Sequence, residues 1–86
     1  MQFTAAVVRD RRANFAVVIV RPSVLRSAQE ATKAQLAFAP AFRGIPVVLM
    51  AQDESGAPTF HGRQDLIGFL RDTNLDYMPW KVYSSR

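Results

Sequence analysis

The segment Arg43–Leu70 constrains the fold most. It reads Arg-Gly-Ile-Pro-Val-Val-Leu-Met to Met50, passes a polar turn, and continues as Phe60-x-Gly62-Arg63-x-x-Leu66-x-x-Phe69-Leu70. The apolar run after Pro46 predicts a strand over Val47–Gln52. Asp53-Glu54-Ser55-Gly56 predicts a type I turn with Gly56 left-handed, after which Thr59–His61 returns as a second strand of the hairpin. A helix is expected to open at Gly62 or Arg63, with Asp65 in its first turn, where a carboxylate suits the helix dipole. Leu66, Ile67, Phe69 and Leu70 form its apolar face. Asn74 is expected as a left-handed C-terminal cap, with Leu75 folding back on Leu70.

The N-terminal half supplies the other pieces. Phe3–Arg9 and Phe15–Arg21 read as strands joined by a hairpin over Asp10–Asn14, with Asn14 left-handed. Val17 to Val20 are apolar in succession, so both faces of that strand should be covered and it should lie centrally. Pro22 ends it. Ser27-Ala28-Gln29-Glu30 reads as a capping box. It opens a helix expected from about Ala28 to Ala39, stopped by Pro40. Ala31, Ala34, Phe38 and Phe42 share its inner face if the coil continues. Pro79 in Asp76–Tyr83 forbids a central strand and predicts an edge strand or an extended tail.

A chain of 86 residues makes one domain, residues 1–86. The expected class is α/β (α+β), in the order β-β-α-β-β-α-(β). Its expected architecture has two layers: a mixed four- to five-stranded sheet with both helices on one face. The second and third strands, joined through a helix, should be parallel.

Composition removes several kinds of chemistry. The chain has no cysteine, so it has no disulfide, no thiolate metal site and no thiol redox centre. One histidine and scattered acids offer no metal-ligand cluster, and no metal or cofactor is expected. Ser23, Ser27 and Ser55 read as loop, cap and turn residues, so no catalytic residue is assigned. No apolar run approaches the ~18 residues of a membrane span. No basic segment precedes an apolar stretch at the N-terminus, so a cytoplasmic protein without a membrane partner is expected. The net charge of +4 is uneven: residues 1–43 carry seven Lys or Arg against two acids, and residues 44–86 carry four against five. The basic half is a candidate footprint for an anionic partner, or it simply solvates a turn.

The run Arg43-Gly44-Ile45-Pro46-Val47-Val48-Leu49, with Phe60-x-Gly62 and Asp65-Leu66-x-x-Phe69-Leu70, resembles the C-terminal half of thioredoxin-like proteins. The resemblance implies a cis Ile45–Pro46 bond. It does not carry the family's activity, because Arg21–Arg26 occupies the place of the Cys-x-x-Cys. The five-residue connection between the first two strands also departs from that family's topology. The whole chain, through Pro46–Asp53, Gly62-Arg63-x-Asp65-Leu66 and Pro79-Trp80-Lys81-x-Tyr83, is similar to a family of short bacterial proteins of unknown function. That similarity implies an independent domain and no particular activity.

Two groups of residues are candidates for binding. His61, Arg63 and Asp65 lie at a strand-to-helix junction, where free helix amides converge. They form either a small anion site or a self-paired helix start in which Asp65 neutralises Arg63. A single glycine there does not make a phosphate loop. Trp80, Lys81 and Tyr83 form either a binding edge or a docked tail with Trp80 and Val82 inward and Lys81 and Tyr83 outward. The leading expectation is a non-catalytic protein-interaction module, binding a protein partner or forming a homodimer. The alternatives are a weak nucleic-acid or phosphate-ligand binder using the basic half, and a degenerate thioredoxin-like domain without redox activity. An enzyme using His61, Arg63 and Asp65 stands last.

Overall fold

A computed structural model describes residues 2–84. Five strands and two helices follow one another: β1 Gln2–Asp10, β2 Ala13–Ile19, α1 Ala28–Phe38, β3 Val47–Gln52, β4 Pro58–His61, α2 Gln64–Arg71 and β5 Trp80–Ser84. The strands form one sheet in the order β4-β3-β2-β1-β5. β2 lies in the middle, as its unbroken apolar run requires. It pairs parallel with β3, and the other neighbours are antiparallel. The α+β class, the mixed sheet and the order of elements match the reading of the sequence.

The layering does not. Side chains alternate across a strand, so neighbours on β2 and β3 point to opposite faces. Phe15, Val17, Val48 and Met50 pack with Leu66, Ile67 and Leu70 of α2. Ala16, Val18, Val47 and Leu49 pack with Ala31 and Phe42, beside α1. The helices therefore cover opposite faces and the domain has three layers, not two. Two central strands with apolar residues at both parities need a cover on each side, and one helix per face supplies it.

Local chemistry sets the boundaries. The first hairpin closes through Arg11–Arg12 alone, with Asp10 Oδ1 accepting from the Arg12 backbone N–H at 2.9 Å. This side-chain bond holds the turn without a left-handed residue, so Asn14 sits inside β2 opposite Arg9, contrary to expectation. Ser27 Oγ accepts from the Glu30 N–H at 3.4 Å and starts α1. The reciprocal half of the capping box is replaced by a Glu30–Lys33 ion pair at 3.7 Å. Pro40 ends the α-helix but begins a 3-10 turn over Ala39–Phe42, which keeps Phe42 on the buried face. Gly56 has the expected positive φ of 85°, and its N–H donates to Asp53 O at 2.9 Å.

Helix α2 stops differently from the expectation. Asn74 has φ −77° and caps the following 3-10 turn, Leu75–Tyr77, by accepting from the Asp76 N–H. Thr73 Oγ1 instead donates to Phe69 O at 2.8 Å and satisfies one terminal carbonyl. No peptide bond among the described residues is cis, so Ile45–Pro46 is trans.

Candidate functional site

The six candidate residues fall on opposite edges of the sheet. His61, Arg63 and Asp65 belong to the β4 edge, and Trp80, Lys81 and Tyr83 to the β5 edge. They cannot form one site.

On the β4 edge, His61 is half-buried, and its Nε2 lies 3.4 Å from Thr32 Oγ1 of α1. Arg63 is bonded to a different residue. Its Nε and Nη2 both donate to Asp65, at 3.2 and 2.8 Å, with both side chains exposed. The Arg63 hydrogen bond, aided by its charge, holds the Asp65 carboxyl below its ordinary range. The two charges at the start of α2 thus satisfy each other, and an incoming anion would meet the Asp65 carboxylate. Gly62 is needed at this junction because its φ is 154° and a Cβ there would lie 3.1 Å from Val48 Cγ2.

On the β5 edge the orientation differs from the expected docked tail. Trp80 packs on the α2-side core and its Nε1 donates to Leu75 O at 2.8 Å. Tyr83 also turns inward, on the other face, stacking on Phe3 with ring centroids 5.5 Å apart and meeting Phe42 edge-on. Val82 is 68% exposed. The cause is the length of α2: eight residues span roughly 12 Å, and that is too short to roof the far end of its face. Ile19 is exposed there as well.

The backbone of the same edge carries a feature that the side chains did not announce. Ala16 N–H donates to Pro46 O and Val20 N–H to Met50 O. The even residues of β2 therefore bond β3, and its odd residues bond β1. Phe15 is opposite Val8 and Val17 is opposite Ala6, so Val8 and Ala6 spend their backbone groups on β2. The groups of Ala5, Val7 and Arg9 face the other way, toward β5. But β5 pairs only from Gln2↔Ser84 to Ala6↔Trp80. Pro79, next in line, has no N–H to give Val7, and the Trp80 N–H turns back to Met78 O at 2.8 Å. Beyond Ala6, β1 runs on for four residues with β2 on one side and no strand on the other.

This open stretch borders a groove of about 510 Å³ lined by Val8, Arg9, Phe69, Asn74, Tyr77 and Pro79, among others. Tyr77 is 86% exposed. Arg9 is the one charged residue lining the groove. Arg12 stands close by, with its guanidinium 5.0 Å from the centre of the Phe69 ring and its Nε on Asp10. The Arg12 backbone N–H, and after it the Arg12 side chain, hold the Asp10 carboxyl below its ordinary range. Among the described residues Arg9 makes no ion pair.

On this edge the sequence points to Trp80, Lys81 and Tyr83 but not to Val7, Val8, Arg9 or Phe69. One signal was available. Pro79 cannot continue a ladder, while the strand it would pair with, Phe3–Arg9, has no break. Among the described residues no helix is long and apolar enough to cross a membrane. No family model, curated protein or solved structure matches the chain.

Proposed function

We propose that this domain is a protein-interaction module that takes up an extended chain as an added strand beside β1. The observation that carries this reading is the mismatch between β1, which reaches Asp10, and β5, whose pairing ends at Ala6. Unpaired N–H and C=O groups on a sheet edge are a template for another strand. Strand addition draws its affinity from main-chain bonds and its selectivity from alternate side chains. Tyr77 supports the reading, because an exposed tyrosine beside a groove is a common anchor in interfaces.

The test is selection of peptides from a displayed random library, followed by amide-shift mapping of those recovered. Shifts centred on Val7–Arg9 and Met78–Trp80 support the module. Shifts centred on His61–Asp65, or spread over the basic turn alone, contradict it. Sedimentation of the free protein identifies the competing occupant, a second copy of this chain. Self-association abolished by Val82→Asp would move the binding edge from β1 to the outer side of β5.

A further inference from the structure

We infer that the chain received at this edge is acidic: an extended segment in which carboxylate and apolar side chains alternate. This rests on the strand-addition reading and adds the chemistry of the partner. A strand laid beside β1 places each residue next to a β1 residue on the same face. Phe3, Ala5 and Val7 belong to the α1 face, and Ala6 and Val8 to the α2 face, so Arg9 continues the α1 series. The incoming residue beside Val8 would therefore point toward the α2 side, where Phe69, Tyr77 and Met78 wall the groove. An apolar or aromatic side chain fits there.

The next residue, beside Arg9, points to the other face. Arg9 is exposed, and Arg11 follows two positions later, also exposed. Asp10, the carboxylate between them, is occupied by the backbone and side chain of Arg12. Asp76 lines a different cleft, with Gln52 and Phe60. The field on the open edge is therefore positive. A carboxylate beside Arg9 gains a partner, whereas an ammonium there would meet like charge directly opposite. The short reach of the open edge, Val7 to Asp10, limits recognition to a few residues.

Three fluorescent peptides of equal length separate the claims: one alternating Glu and Val around a central Phe, one with Lys for Glu, and one with Ser for Glu. Binding is read by anisotropy, and its place by amide shifts. The Glu peptide is expected to bind best, to move the Val8 and Arg9 amides, and to weaken as salt rises. Arg9→Ala should weaken it by up to about fivefold, the worth of one exposed ion pair, and leave the Ser peptide unchanged. Tyr77→Ala should weaken both, with circular dichroism unaltered because Tyr77 is exposed. If all three peptides bind equally at Val8 and Arg9, strand addition stands and the acidic preference is overturned. If none moves those amides, both readings fail together.

Discussion

Val17 and Val18 are adjacent, identical in type and fully buried, yet they face opposite helices. They form a matched pair for testing the three-layer architecture. Truncating either to alanine removes two carbons, about 1.6 kcal/mol at ~0.8 kcal/mol per buried methylene. The space left behind adds to this, so the expected cost is about 2–3 kcal/mol for each variant. An 86-residue domain has roughly 4–13 kcal/mol of stability at about 0.05–0.15 kcal/mol per residue, so both variants should still fold. Urea denaturation followed by Trp80 fluorescence and by circular dichroism reads the effect. With a slope near ~1 kcal/mol per molar, each midpoint should fall by roughly 2–3 M. In a two-layer fold one of these valines would face water, and its truncation would cost about 0.5 kcal/mol or less. One variant indistinguishable from the parent, with the other strongly destabilised, would refute the arrangement of α1 and α2 on opposite faces.

Other expectations follow from single contacts. Gly62→Ala adds backbone strain and pushes a Cβ to within 3.3 Å of Val48 Cα. It should cost about 2–4 kcal/mol by denaturant midpoint, and an unchanged midpoint would deny the close approach. Asp53 accepts from the Ser55 hydroxyl and from the Ala57 and Ser55 amides, which hold its carboxyl below the ordinary value. A folded pKa below the unfolded ~3.9 means a contribution present above that pH and lost as pH falls toward the folded value. Asp53→Asn should therefore flatten the loss of Tm below about pH 4 relative to the parent, and identical Tm–pH curves would contradict it. Phosphate titration should leave the Gly62–Leu66 amides in place, because Asp65 already occupies Arg63. A saturable local shift abolished by Arg63→Ala would reverse that reading.

Much of the fold was legible in the sequence because it rests on periodicity and turn chemistry. The β2 apolar run placed that strand centrally, and Asp53–Gly56 gave its turn. The layering was misjudged although the same run contained the answer: apolar residues at both parities demand two covered faces. Asn14 and Asn74 failed as left-handed residues because side-chain bonds from Asp10 and Thr73 settle those ends locally. The inward turn of Tyr83 and the exposure of Val82 depend on how far α2 reaches, a tertiary quantity that no local pattern encodes. The open edge of β1 lies in the relation between two strands far apart in sequence. Pro79 hinted at it, but only the register with β1 shows which backbone groups are left.

The claim that matters most is that β1 has a free edge from Val7 to Asp10. Amide hydrogen exchange measures it directly. The Val8 N–H, turned toward β2, should exchange slowly, and the Arg9 N–H, turned toward the groove, should exchange like an unprotected amide. On addition of the Glu–Val peptide, Arg9 should become protected while Val8 changes little. Equal, strong protection of Val8 and Arg9 in the free protein would mean that the edge is already paired, and would contradict the account.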